Sequence, residues 1–386
     1  MRKRVILLLI VCINVFMLTG CWNYVEINQQ MNASGIAIDV GQQGKKYHLS
    51  IEVISVGMKA EEGISANVLE TDSDTLFEGI RDLMAMTTKK LYFGHCKTMI
   101  IGEKAAKNGI AEIIDVTLRN HEVRKELDIA ISKGCDAKDI LLTEGIATPI
   151  MSYKIYDLMN TSVKAVGGAP KTKAYLIFNS IQSEGVCTVI PALQIGNVQE
   201  KKVLELAGVA VFDNDKLAGF LDKRETEYLS FLNNKIERSG LLTVKVSENP
   251  DLFLSYEVYK SKTKRDLQFN EDVPSVNITV NTSAIIGEVE TEEDFSKPEE
   301  VEKVKQLLEK NMEENFTKLI DRAQTKLNCD IFGIGAQLQR DNPEMWGKYK
   351  DNWDGTFKKV KINVDCKVKI TGSGIENGTV KKGQLK

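Results

Sequence analysis

At 386 residues the chain exceeds what one hydrophobic core usually serves, so two or three domains are expected. A composition 42% apolar and 27% charged excludes both a disordered tail protein and a multi-span membrane protein. The net charge of −3 does not indicate a nucleic-acid-binding surface, and no nucleic-acid partner is expected.

The chain opens with Arg2, Lys3 and Arg4, an apolar run over Val5–Met17, and Leu18-Thr19-Gly20 leading into Cys21. This is the pattern of a secretory signal peptide over residues 1–20, cut between Gly20 and Cys21. The run falls short of the ~20 residues a helix needs to cross hydrocarbon, and Asn14 interrupts it. Leu-Thr-Gly-Cys resembles the bacterial lipobox, which implies a diacylglycerol on the Cys21 thiol and, after cleavage, an N-acyl chain. Two acyl chains anchor a protein stably where one does not. An uncleaved anchor and an ordinary secreted product are the alternatives. Loss of residues 1–20 takes three positive charges and no acidic one, lowering the net charge from −3 to −6. Residues 21–33 then form a lipidated tether of up to ~40 Å, in which Trp22 and Tyr24 either sit among lipid headgroups or pack back on the protein.

A first domain of mixed-sheet α/β type is expected over 34–197. Gly35–Asp39 and Tyr47–Ser55 read as a hairpin, and Asp72-Ser73-Asp74 caps a helix carrying Leu76, Phe77, Ile80, Leu83 and Met84. The strand Thr98–Ile101, the helix Glu103–Arg119, the strand Leu127–Ile131 and the short helix Asp136–Leu142 make a crossover unit. A helix over Ser152–Val166 and strands over Ala174–Phe178 and Val186–Leu193 complete the domain.

A small middle domain, 203–247, follows as a hairpin turning at Asp213-Asn-Asp215 and a helix over Glu225–Arg238. The two aspartates begin like a calcium loop, but Leu217 occupies the next ligand position, so a reverse turn is the reading. The third domain, 250–372, alternates apolar residues over Leu252–Lys260, Ser275–Gly287 and Lys358–Ile370, as an antiparallel sheet requires. One long helix crosses it, with Ser296 as N-cap, Pro298 in its first turn, Glu299 as capping-box partner and an apolar stripe reaching Leu327. The same stripe could instead seat a partner helix. Residues 373–386, rich in Gly and Lys, are read as a fraying tail. The fold class is thus α+β with a mixed α/β first part, in several domains.

The chemistry of a catalytic site does not announce itself. No phosphate-loop, nucleophile-elbow or zincin motif occurs, and Gly333-Ile-Gly335 reads as a turn after a helix. His48, His95 and His121 are too widely spaced for a metal motif, so no metal is expected. Cys96, Cys135, Cys187, Cys329 and Cys366 lack a C-x-x-C pair and read as buried thiols. Trp346 and Trp353 read as packing anchors.

Several stretches together resemble the Ger(x)C lipoproteins of endospore-forming bacteria, the C subunits of germinant receptors. They are Cys21-Trp22 with Glu26-Ile27, Phe93-Gly-His95 to Gly102-Glu103 with Gly109-Ile110, and Arg119 with Glu122 and Arg124. Ala207–Phe212 with Lys216–Gly219 and Glu225-Thr226, then Asp330–Gly333, Pro343 with Trp346, and Trp353 with Phe357, continue the likeness. Asn23 departs from the family's usual Asp after Cys-Trp. The resemblance implies a three-domain protein without known catalytic activity, on the outer face of the spore inner membrane. Its implied partners are the bilayer, through Cys21, and the integral membrane A and B subunits of one receptor that senses small nutrients. It also implies no cofactor beyond the Cys21 lipid. The family's recurrent exposed residues here are His95, Arg119, Glu122 and Arg124, although an internal salt-bridge network accounts for the last three equally well. A solute-binding lipoprotein feeding a transporter is the rival reading. It requires a cleft between two similar lobes, against which the change in strand texture argues.

Overall fold

The computed structural model describes residues 2–6, 26, 29–56, 63–143, 149–165, 170, 172–236, 240–248, 251–269, 273–289 and 298–372. Gly20, Cys21, Trp22, Tyr24, the Ser296 cap and the 373–386 tail lie outside them.

Among the described residues nine strands form the first sheet. They are β1 Gln30–Val40, β2 Tyr47–Val56, β3 Ile64–Ser73, β4 Lys90–Tyr92, β5 Thr98–Ile101, β6 Asp128–Ser132, β7 Thr188–Val198, β8 Lys201–Asp213 and β9 Lys216–Leu221. The order is β3-β2-β1-β5-β6-β7-β8-β9, with β4 beside the start of β1. β1, β5, β6 and β7 run parallel, and antiparallel pairs flank them on both sides. The central strands are buried on both faces, and their side chains divide with period two. Ile36 and Ile38 face one core while Ala37 faces the other, and Met99 and Ile101 oppose Ile100 in the same way. The first core takes helices α1 Leu76–Ala85, α2 Glu103–Asn108, α3 Ala111–Arg119 and α6 Ala174–Ile181; the second takes α4 Ala137–Leu141 and α5 Met151–Ala165.

Four local expectations change here. Ala174–Ile181 is a helix rather than a strand, its apolar positions 174, 177, 178 and 181 following helical spacing that a five-residue window could not separate from a strand. The expected single helix over 103–119 breaks at Gly109, where φ is +120°. β1 takes in the last four residues read as tether, and α1 is capped by Thr75. β3, too polar to show in the pattern, pairs with β2 along its whole length.

Two buried carboxylates fasten helices to this sheet. Asp39 at the end of β1 accepts from the N–H groups of Ala137 and Lys138 at 2.8 and 3.0 Å, capping α4 from another element. Glu52 in β2 is 1% exposed and accepts from Ser34 Oγ at 2.7 Å, from the N–H groups of Met151 and Ser152 at 2.7 and 3.0 Å, and from Ser152 Oγ. It is the N-terminal anion of α5.

The hairpin β8–β9 extends the first sheet instead of standing apart as a middle domain. Ala210 and Phe212 face the first sheet's core, whereas Val209 and Val211 enter the core of the C-terminal part, so β8 carries a core on each face. Helix α7, Lys223–Leu232, is capped by a reciprocal Asp222–Glu225 box and belongs to that C-terminal core.

The second sheet is β10 Gly240–Glu248, β11 Asp251–Gln268, β12 Ser275–Val289 and β13 Lys361–Gly372, in that order. Its first three strands are antiparallel as expected, but β13 runs parallel to β12. The reason is the connection: α8, Pro298–Arg322, carries the chain back along ~37 Å before β13 starts, and a crossover of that kind returns a parallel strand. Val304, Leu308, Met312, Phe316, Leu319 and Ile320 of α8 pack into the same core as Tyr256, Val258, Ile278 and Val280. The stripe is thus buried within the chain. A π turn, Ala323–Leu327, ends the helix, and α9 Ile334–Asp341, α10 Pro343–Tyr349 and α11 Trp353–Phe357 follow.

Glu227 of α7 is 7% exposed, and its Oε1 has no hydrogen-bond partner among the described residues. Burial pushes its carboxyl from 4.5 up to about 8, with Arg224 pulling weakly the other way. The folded state therefore keeps a proton that the unfolded chain releases near 4.5, and stability falls by ~1.4 kcal/mol per pH unit from there to about 8. Glu227→Gln removes this dependence. Urea unfolding at pH 5 and pH 8 should show the variant gaining on the wild type as pH rises, and parallel profiles would contradict the buried neutral acid.

Candidate functional site

The two sheets are clasped where the loop before β7 meets the segment after α8. The N–H of Cys187 donates to Asp330 O at 2.8 Å and that of Ala336 donates to Gly185 O at 2.9 Å. Gly185 has φ +70°, and a Cβ there would lie 2.6 Å from the Gly335 carbonyl carbon, so only glycine permits this approach. The Asp330 carboxylate, 2% exposed, accepts from Gly335 N at 2.8 Å, Phe332 N at 3.2 Å and Trp353 Nε1 at 3.2 Å. Burial pushes its pKa up to about 6, against the hydrogen bonds that lower it. Gly333-Ile-Gly335 thus opens α9, contrary to the expected turn after a helix, and the N-terminus of that helix is already occupied by Asp330.

Trp346 and Trp353 are buried with ring centroids 5.3 Å apart, and Trp346 Nε1 donates to Glu184 Oε2 at 3.1 Å. They anchor the clasp, as packing residues should. Beside them opens a polar cleft of about 420 Å³, bordered by Asp213, Lys350 and Asp354. Burial and the neighbouring Asp213 raise the Asp354 carboxyl above its usual range. The Cys187 thiol is pushed well up by its hydrogen bond to Cys329 and by burial, so it is not poised as a nucleophile. Cys96, Cys135, Cys187, Cys329 and Cys366 are all free thiols, three of them buried.

The residues singled out in the first half lie on the surface elsewhere. His95 is exposed in the turn closed by Cys96 N donating to Phe93 O, and its ring meets Tyr92 edge-on at 5.8 Å. Glu122 pairs with Lys90 at 2.6 Å, Arg119 pairs with Asp115 at 2.7 Å, and Arg124 is exposed. Arg119 and Glu122 thus sit in separate internal ion pairs, and among the described residues no ion pair joins Arg119, Glu122 and Arg124 to one another. Instead β4 gathers His95 and Glu122, because Lys90–Tyr92 run beside Gln30–Asn32 at the start of β1. The patch therefore flanks the point where the N-terminal segment enters the folded body. The three-residue β4 that assembles it was too short to be read from periodicity.

Among the described residues no group of His, Cys, Asp and Glu could hold a metal, and no helix is long and apolar enough to cross a membrane. Two clasped sheets with an exposed charged patch at the chain's entry define a protein of α+β class.

Comparison with known families makes this particular. Residues 23–195 match the model of the spore germination protein N-terminal domain, and residues 207–374 match that of the spore germination B3/GerAC-like C-terminal domain. The chain belongs to the GerAC, or Ger(x)C, family of spore germination proteins. The first match ends in β7 and the second begins in β8, at the hairpin that joins the two cores. Among curated relatives, Bacillus subtilis spore germination protein KC is 24% identical, covering 99% of this chain and 98% of its own length. Spore germination protein B3 of the same organism is 26% identical, covering 92% and 95%. The crystal structure of the GerBC protein superposes with a TM-score of 0.56 at 18% identity, covering 87% of this chain and 97% of that one, and has the same fold.

Proposed function

We propose that the protein is the lipid-anchored C subunit of a nutrient germinant receptor, held on the outer face of the spore inner membrane and needed for nutrient-triggered germination. It acts there by assembling with the integral membrane A and B subunits. The observation that carries this reading is the pair of family matches, one ending in β7 and the other running from β8 through the second sheet, together spanning nearly the whole chain. The entry geometry supports it. Cys21 stands nine residues before Gln30, so even a fully extended link keeps the start of β1 within ~30 Å of a diacylated Cys21. Confinement to such a layer raises the effective concentration of the folded body against membrane neighbours without any new contact. The His95–Glu122 patch beside β1 is the surface best placed to meet them.

Cys21→Ala removes the anchor and leaves the fold untouched. The variant is expected to move from the membrane to the soluble fraction of spores, with a slowed response to nutrient. Full germination from a demonstrably soluble variant would reject the reading. The rival solute-binding lipoprotein needs two matched lobes, whereas sheets of nine and four strands are not matched.

A further inference from the structure

We propose that the outer face of the second sheet is a docking surface for anionic phospholipid headgroups, on which the anchored protein lies down. The register places lysines in rows across three strands. Lys262 of β11, Asn281 of β12 and Lys367 of β13 are cross-strand partners, as are Lys260, Ser283 and Lys369. The next row is Lys264, Thr279 and Asp365. All five lysines are exposed, whereas the alternate residues Val280, Cys366 and Val368 are buried under α8. Period two thus sorts the cations onto the face away from the core.

The acids nearby do not cancel them. Asp365 pairs with Lys367 at 3.7 Å, and Glu257 and Asp266 stand one row beyond the lysines at either end. Glu309 and Glu313 of α8 are engaged in accepting from the N–H groups of Val368 and Cys366 at 2.9 Å each. These two carboxylates cover the outer backbone edge of β13, so addition of a partner strand at that point is blocked. The lysines flank a trough of about 650 Å³ floored by Asn281, Thr282 and Ser283 of β12 and bordered also by Asp365 and by Lys305 and Glu309 of α8. Rows on β11 and β13 lie ~10 Å apart, two strand spacings. A phosphodiester fits between them, accepting from ammonium groups at the sides and from the Asn281 amide or Ser283 hydroxyl below.

The occupant follows from charge and reach. The chain as a whole is net negative, so a face carrying this excess of lysine is a local feature and not a consequence of composition. A cationic surface whose lysines stand on both sides of the polar residues Asn281 and Ser283 matches a layer of anionic headgroups, and juxtamembrane lysines are attracted to such a layer within a Debye length. The inference rests on the proposed lipid anchor only for bringing this face near a bilayer.

The test uses the full chain extracted from membranes and reconstituted on vesicles of phosphatidylcholine alone, or of phosphatidylcholine and phosphatidylglycerol in roughly equal parts. Lysine acylation read by mass spectrometry should show Lys260, Lys262, Lys264, Lys367 and Lys369 protected on the mixed vesicles only, with protection lost at ~0.5 M salt. A Lys260→Glu, Lys262→Glu, Lys367→Glu, Lys369→Glu variant, checked for an unchanged melting curve, should bind mixed vesicles on the order of 100-fold more weakly when Cys21 is also replaced by Ala. Equal labelling on both vesicles overturns the proposal. Protection that appears only in native membranes holding receptor subunits, and not on mixed vesicles, assigns the face to an acidic protein and also overturns it. Failure of the wild type to float with phosphatidylcholine vesicles would instead count against the anchor, leaving the lysine comparison readable.

Discussion

Replacing Asp330 by Ala is expected to lower the unfolding free energy by ~3 kcal/mol and to loosen the contact between the two sheets first. The change strips the acceptor from Gly335 N–H, Phe332 N–H and Trp353 Nε1–H at a position 2% exposed. Each buried donor left without a partner costs about 1–3 kcal/mol, and relief of the carboxylate's own burial, visible in a pKa pushed up to about 6, offsets part of the sum. Asp330→Asn keeps one acceptor oxygen and should cost about half as much. Indole fluorescence is a local reporter, since Trp346 and Trp353 pack against each other at the clasp. Denaturant unfolding followed by fluorescence and by far-ultraviolet circular dichroism should separate in the Ala variant, fluorescence moving at lower denaturant. Coincident curves with a loss under ~1 kcal/mol would remove Asp330 from its place at the junction.

Glu52→Ala should be at least as costly, about 3–5 kcal/mol, and its effect should stay within the first sheet. Glu52 is the common acceptor for Ser34 Oγ, Met151 N and Ser152 N, so its loss leaves a helix N-terminus buried without an anion. Glu52→Gln is no remedy, because its amide nitrogen would face donors. Hydrogen exchange should quicken at Met151 and Ser152 in both variants while the amides of β11 and β12 keep their protection. Unchanged exchange at those two amides, with global stability intact, would show that α5 is capped by something else.

These carboxylates mark where the linear pattern ran out. Glu52 sits in a strand whose alternation is plain in the sequence, yet its partners lie about a hundred residues away at the start of α5. The same holds for Asp39 with Ala137, and Asp330 reaches Trp353 across 23 residues and two intervening helices. Nothing within a local window distinguishes a buried capping acid from a solvated one. Short elements failed for a related reason. Ala174–Ile181 is too brief for its spacing to outweigh its apolar content, and β4 exists only because β1 offers it an edge. Conversely, the hairpin β1–β2, the crossover through β5 and β6, and the buried stripe of α8 followed directly from periodicity, since each is long enough for one face to be hydrophobic by itself.

The amino-acid sequence alone determined the family, the α+β class and the alternation that builds each sheet, because these depend on residues close together in the chain or on many weak likenesses in order. Only the tertiary structure decided that β8 serves two cores, that β13 returns parallel, that Asp330 clasps the sheets and that the lysines of β11 and β13 share one face. Those outcomes depend on which distant backbone groups meet, and hydrophobic patterning orients a strand's faces without choosing its neighbour.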